Sequence, residues 1–454
     1  MMTKTSLFRG AALGALIALG MGAAAQAKPV KHHVHHAAVS SAEEDEIAIL
    51  KDQVEALSAR LAATEAAQQQ TQVVAQQATA AVQQVQVQSA QVDDQIRRIP
   101  GAVTTAVAAL PKPKGGWWDN TTVGGRMFYD VTSIDQKNDG VKQPVNGVNF
   151  DIKRFYVQID HKFNDVFSAD ITTDFTYDSG PAGATQLILK KAYLQAKLSD
   201  ALVIRAGAAD MPWVPFIEDL YGYRYVENVL IDRTKFGTST DWGVHASGKL
   251  PAGPMTISYA VSAVNGMGYK KPGYIAGVNR SKGIDLEGRL SASMDHFTVG
   301  VGGYTGKLGK DVEGVPTFHT AQRFDAVGAY TSDRFRVGVE YFYAKDWNDV
   351  ALAPPAIANT SEGIGTFASF KFNSQFSVFG RYDWVKPKRD TAPTEKENYF
   401  NVGVSYTPVK IVDFALVYKR DKVDNGLFST QNGAIGGLVE GTYDEVGLFS
   451  QLRW

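Results

Sequence analysis

The sequence predicts an all-β, membrane-spanning antiparallel barrel of about sixteen strands, preceded by an α-helical coiled coil. Three observations carry this. From Asn120 onward apolar and polar residues alternate with period two in segment after segment, with carboxylates on the polar side. No long apolar run survives past the first thirty residues, so apolar helices cannot supply the membrane crossing. The last segment, VGLFSQLRW, puts Val446, Leu448, Leu452 and Trp454 on one face.

Composition narrows the alternatives. The 454 residues include no cysteine, which excludes disulfides and thiolate chemistry. Lys+Arg number 46 against 47 Asp+Glu, a balance that gives no reason to expect a nucleic-acid partner.

Taken in order, residues 1–27 read as an export signal. Lys4 and Arg9 form its basic start, AALGALIALGMG its short apolar core, and Ala25-Gln26-Ala27 its small-x-small cleavage site. Residues 28–40 are a leader containing His32, His33, His35 and His36, read as flexible and solvated with no metal site. Residues 41–100 keep an unbroken heptad frame. Ile47, Val54, Leu61, Val82 and Ile96 fall at a positions, and Leu50, Leu57, Val85, Val92 and Ile99 at d. Ser41 and Glu44 form a capping box, and Pro100-Gly101 stops the helix. At 1.5 Å per residue the rod would be roughly 85 Å long. Its seam is polar in the middle, at Gln68 and Thr71, so it requires identical partners. Residues 101–117 form a low-complexity linker.

The barrel follows over residues 118–454. In FSADITTDFTYD, Phe167, Ala169, Ile171, Thr173, Phe175 and Tyr177 share one face, while Asp170 and Asp174 share the other. In RFRVGVEYFYA, Phe335, Val337, Val339, Tyr341 and Tyr343 face outward, with Arg336 and Glu340 inward. Such strands must close on themselves, because lipid leaves no partner for an open sheet edge. Asn164-Asp165, Ser332-Asp333 and Asn373-Ser374 mark short turns, and residues 132–149, 265–282 and 347–362 read as long external loops. Gly124-Gly125, Gly302-Gly303 and Gly436-Gly437 read as barrel kinks or turns.

Residues 118–454 resemble the phosphate-selective porin O/P family, through FDIKRFYVQID, KKAYLQAKL and IRAGAADMPWVPFIEDLYGYRYVE. The last stretch carries Arg205-x-Gly207, Pro212, Pro215-Phe216 and Glu218, similar to the family's passage from a strand into a constricting loop. The resemblance implies a homotrimer of sixteen-stranded barrels in the outer membrane of a Gram-negative bacterium, with the coiled coil in the periplasm. Lipid and lipopolysaccharide would surround it, and barrel-assembly machinery would read Trp454 as its assembly signal. The family often carries Gly-Gln-Phe-Lys where this chain has Gly207-Ala208-Ala209-Asp210, an acid in place of a lysine. The expected activity is therefore passive diffusion of small hydrophilic solutes, with anions such as phosphate the narrower expectation.

Two other readings are kept. The coiled coil could tether the envelope by binding peptidoglycan, or a tyrosine-rich constriction could select carbohydrate. By alternation, Arg126, Arg154, Lys191, Lys197, Arg205, Arg289, Arg336 and Arg381 line the bore, opposed by acids about as numerous. In the constricting loop, Tyr221, Tyr223 and Tyr225 would line a narrow passage. Arg224, Arg233 and Lys235 would attract anions, and Glu218 and Asp219 would oppose them. His161, His245, His296 and His319 lie far from any nucleophile motif, so neither catalysis nor a cofactor is expected.

Overall fold

The computed structural model describes residues 116–177, 185–270, 280–353 and 357–454, with scattered positions between 51 and 83. The chain divides into two compact units, Met1–Pro111 and Lys112–Trp454. In the first unit residues 51–52, 54–59 and 61–62 are helical, with Val54, Leu57 and Leu61 exposed. The export signal, the histidine-containing leader, the remainder of the heptad region and most of the linker lie outside the described residues.

The second unit is a closed barrel of sixteen antiparallel strands. The first four are β1 (Thr121–Asn138), β2 (Gly147–Lys162), β3 (Phe167–Tyr177) and β4 (Thr185–Ser199). They are followed by β5 (Leu202–Asp210), β6 (Thr240–Ala252), β7 (Met255–Val264) and β8 (Asp285–Met294). Next come β9 (Phe297–Gly306), β10 (Ala321–Thr331), β11 (Phe335–Lys345) and β12 (Thr360–Lys371). The last four are β13 (Phe376–Lys386), β14 (Lys396–Val409), β15 (Val412–Asp424) and β16 (Glu440–Arg453). Each strand pairs with its sequence neighbours, and β1 pairs with both β2 and β16. Where β16 meets β1, Arg126 stands opposite Arg453, and the Trp454 and Gly125 backbones exchange bonds of 3.2 and 3.1 Å. The Trp454 ring lies across Gly125, where a Cβ would fall 2.2 Å from it.

The barrel is apolar outside and polar inside. Val299, Val301, Val337, Val339 and Leu416 are exposed, whereas Asp325, Glu340, Asp383 and Lys419 are buried. A soluble sheet would invert this, so the outer belt is the face that suits lipid. Aromatic pairs ring the end where the connections are short: Phe335 with Phe370 at 4.9 Å, Phe376 with Tyr406 at 4.8 Å, and Phe297 with Tyr330 at 5.0 Å. Those short connections are held by local side-chain acceptors. Asn164 Oδ1 accepts the Val166 and Phe167 N–H groups, and Asn373 Oδ1 accepts those of Gln375 and Phe376.

Two expectations are corrected. Residues 132–149 are not simply a loop: β1 runs to Asn138, a two-residue piece (Val141–Lys142) pairs with its end, and β2 begins at Gly147. Ser133, Asp135 and Lys137 of β1 present no apolar side chain outward, yet the ladder continues because a backbone pair needs no apolar partner. Phe175, unlike the exposed Phe167, is buried and borders interior space. Beside it the register shifts between Thr172 and Thr173, and the extra residue of this bulge, Lys190, lies in β4. The bulge turns both Lys190 and Lys191 away from the outer face.

Gly207 and Gly243 face each other across β5 and β6. Gly207 has φ +128°, and a Cβ there would lie 2.1 Å from the Ala192 carbonyl oxygen. Only glycine permits that backbone approach, just before the chain leaves the wall.

Candidate functional site

After β5 the chain turns into the bore. Pro212 has no N–H to continue the ladder, and Pro215 sits in the first turn of helix α1 (Val214–Tyr221). Gly222 ends that helix in the left-handed region at φ +79°. A second short helix, α2 (Leu230–Arg233), precedes the return to β6. Residues 211–239 thus form an inward-folded loop.

One side of the loop is a hydrophobic core against the wall. Trp213, Val214, Ile217, Val229, Leu230, Ile231 and Phe236 are buried in one cluster with Tyr304, Phe342, Phe367 and Phe379 of the barrel. Each such side chain stabilises the docked loop by roughly 2 kcal/mol. Gly302 and Gly300 make room for it: a Cβ would lie 2.6 Å from the Trp213 ring at the first and 2.9 Å from Phe216 at the second. Gly302 is therefore a packing site for the loop, a role that its reading as a barrel kink or turn did not foresee.

Tyr221, Tyr223 and Tyr225, expected along a passage, are 2%, 8% and 4% exposed; Tyr223 and Tyr225 edge a cavity of 320 Å³, and Tyr221 does not. Tyr223 stacks on Phe379 at 4.0 Å and bonds Ser377 Oγ at 3.0 Å; Tyr221 meets the Phe367 ring edge-on at 5.7 Å. The reason is that inward phenylalanines give the rings an apolar surface, which water does not.

Charge pins the loop as well. Four wall arginines donate to its backbone carbonyls. Arg336 reaches Asp219 O at 2.6 Å and Leu220 O at 3.1 Å, satisfying the C-terminal end of α1. Arg289 reaches Pro212 O at 2.9 Å, Arg381 reaches Asn228 O at 2.9 Å, and Arg323 reaches Phe236 O at 2.6 Å. In the opposite sense, loop residue Arg233 points into the wall. It is fully buried between Asp383 (3.0 Å), Glu397 (2.5 Å) and Asp421 (3.2 Å), 4.0 Å above the Tyr399 ring. Glu227, also fully buried, receives Lys419 at 3.3 Å, Lys153 at 3.7 Å and the Tyr399 hydroxyl at 3.3 Å. Arg224 pairs with Glu218 at 2.5 Å and approaches Asp232 to 3.8 Å.

A hairpin (Leu427–Thr430 and Gly433–Gly436) rests on the loop from the long-connection end. Gln431 N–H donates to Arg233 O at 2.8 Å, and Lys235 Nζ to Ser429 Oγ at 2.7 Å. Burial lowers the Lys235 ammonium from its ordinary value. Asp139 holds the far side of this connection by accepting the Leu438, Val439 and Glu440 N–H groups, which lowers its pKa.

Open space remains on both sides of the loop. A cavity of 380 Å³ lies between Glu227-Asn228, Gln431-Asn432 and the wall, with Lys153, Arg154 and Lys419 facing Asp130 and Glu445. Toward the short-turn end lie cavities of 320 Å³, with Arg336, Lys371, Lys410 and Arg453, and 420 Å³, with Arg205, Lys249 and Arg289. Among the expected bore residues, Lys191 pairs with Asp210 at 2.6 Å, Lys197 with Asp200 at 2.8 Å, and Arg154 with Asp174 at 3.8 Å. Arg205 donates to the neutral Gln195 Oε1, and Arg126 is exposed. The sequence reading missed Lys190. It is buried, bonds the Tyr156 hydroxyl at 3.0 Å and sits 4.3 Å over that ring; the Lys190-Lys191 doublet was the available signal.

No protein-family model matches the chain, and no curated protein sequence matches it. Solved structures do. An anion-selective porin from Comamonas acidovorans is similar at 12% identity and TM-score 0.53, covering 74% of this chain and 99% of that one. The outer membrane channel DcaP of Acinetobacter baumannii is similar at 14% identity and TM-score 0.50, covering 74% and 97%. The chain has the porin fold. Within this porin barrel, the inward-folded loop and the charged groups around it form the candidate functional site.

Proposed function

We propose that this chain is an outer-membrane porin through which small hydrophilic solutes diffuse passively, with anions favoured. The observation that carries the anion preference is the set of partners chosen by the cations near the short-turn end. Arg289 and Arg336 bond carbonyls, and Arg205 bonds an amide, so none of the three is neutralised in an ion pair where it borders open space. Guanidinium groups so placed lower the barrier for oxyanions and chloride. Reconstitution in planar bilayers should give stepwise conductance, and its absence would remove the channel reading. In a potassium chloride gradient the reversal potential should carry the sign of chloride preference; potassium preference would remove the anion reading. A carbohydrate constriction built on Tyr221, Tyr223 and Tyr225 has less support, because Tyr221 packs on the wall and only Tyr223 and Tyr225, each under 9% exposed, edge the 320 Å³ cavity.

The assembly is a homotrimer, with the heptad helices on the periplasmic side. The support is the unbroken heptad frame, and Val54, Leu57 and Leu61 are exposed on its described helical positions. Deleting residues 41–99 should convert cross-linked trimers to monomers at unchanged barrel content. A deletion that leaves trimers intact and loosens the envelope from peptidoglycan would favour the tether instead.

A further inference from the structure

We infer that the 420 Å³ cavity beneath α1 is a docking site for a polyhydroxylated carboxylate, a solute of the sugar-acid class. The inference rests on the porin reading for its physiological sense, and on the cavity alone for its chemistry.

The cavity lies between the inward faces of β5 to β9 and the underside of α1, with Pro215 and Phe216 as its roof. Its cations are Arg205, Arg289 and Lys249. Among the described residues none of the three forms an ion pair: Arg205 donates to Gln195 Oε1 at 2.8 Å, and Arg289 to Pro212 O and Ser291 Oγ. Of the two acids present, Asp210 is held by Lys191, which leaves Asp219 of α1 as the opposing charge. A guanidinium with neutral partners in a recess reached by water suits a carboxylate, whose two oxygens match its donor fork.

The rest of the wall is unusually rich in hydroxyls. Ser247, Ser258, Ser262, Ser291, Ser293 and Thr298 all line this one cavity. A bare tetrahedral anion accepts hydrogen bonds only, whereas hydroxyls both donate and accept. A lining of this kind is complementary to a solute carrying hydroxyls of its own. The Phe216 ring, over which Arg289 lies at 4.1 Å, offers an apolar patch for a carbon backbone.

His245 also lines the cavity. It is 4% exposed, and its Nδ1 contacts Ser262 Oγ at 2.7 Å, which holds that hydroxyl in place on the cavity wall.

The test uses the full chain in detergent micelles, titrated calorimetrically with gluconate, glucose and hexanoate. Gluconate should bind about tenfold or more tightly than either control, since each control lacks one of the two recognised features. Arg205→Gln, which removes no loop anchor, should weaken gluconate by about tenfold through loss of a charge-assisted bond. Ser258→Ala with Ser293→Ala should weaken gluconate and leave hexanoate unchanged. Unchanged gluconate affinity in Arg205→Gln, or equal affinity for gluconate and hexanoate, overturns the site. Calorimetry is separate from conductance. Gluconate binding without stepwise conductance would sink the diffusion reading and leave the site standing; conductance without gluconate discrimination would do the reverse.

Discussion

Replacing Arg233 by methionine is expected to release the inward-folded loop from the wall. The side chain is fully buried among Asp383, Glu397 and Asp421, and its removal leaves three carboxylates with no guanidinium between them. Removing one partner from a buried ionic cluster costs about 3–5 kcal/mol. That corresponds to roughly a hundredfold to a few thousandfold more released loop. Single-channel recordings should show larger, flickering steps, and trypsin should cut after Arg224, which is nearly inaccessible in the docked loop. Adding Glu397→Gln and Asp421→Asn should recover most of the loss, because the burden is the unpaired charge and not the missing arginine itself. Native-like conductance and protease resistance in the single variant would show that the apolar face alone holds the loop.

The second large effect is expected at Glu227. Burial alone would raise its carboxyl, but Lys153, Lys419 and Arg233 outweigh burial and hold it below the ordinary glutamate range. Glu227→Gln leaves Lys153 without its acid and Lys419 with Glu445 alone, and should lower stability by about 3 kcal/mol at pH 7. The pH dependence follows from the direction of the shift. A carboxylate depressed in the native state contributes fully above its unfolded value of about 4.3 and loses that contribution as pH falls through the lower native value. The stability gap between native chain and variant should thus be flat from pH 8 to about 5 and shrink below about 4. Guanidinium unfolding midpoints in micelles measure it, and a gap that widens on acidification would contradict the assignment. Asp232 on the same loop works in the other sense. Burial raises it against the pull of Arg224, so its charge is unfavourable in the docked loop and mild acidification relieves it.

Much of the barrel was legible because a membrane imposes a strict rule on sequence. Outward residues must be apolar and inward ones tolerate charge, so Phe335, Val337, Val339, Tyr341 and Tyr343 announce a strand by themselves. That rule fails where geometry inserts a residue. The bulge opposite Thr172 and Thr173 adds Lys190 to β4 and takes both Lys190 and Lys191 off the outer face, and no local pattern marks it. The loop's departure was legible from Pro212 and Pro215, which cannot continue a ladder. Its packing was not, since the direction of a tyrosine in a loop depends on the surface opposite. A clue did exist on that surface. Phe342, between outward Tyr341 and Tyr343, has to point inward, and a phenylalanine in a water-filled bore calls for something apolar to cover it. Carbonyl-directed arginines were out of reach, because alternation identifies an inward arginine without saying whether an acid or a backbone oxygen receives it.

The placement of Arg233's partners has a consequence for biogenesis. Asp383, Glu397 and Asp421 belong to β13, β14 and β15, and the residue that caps Arg233 from above, Gln431, lies later still. A loop that follows the fifth of sixteen strands is thus fastened by residues made near the end. While the wall is still being laid strand by strand, the segment carrying Arg233 has no acids to meet and must wait in water. The aperture is consequently set late, once β13 to β15 are in place, and a barrel stalled short of β13 would lack the acids that fasten the loop.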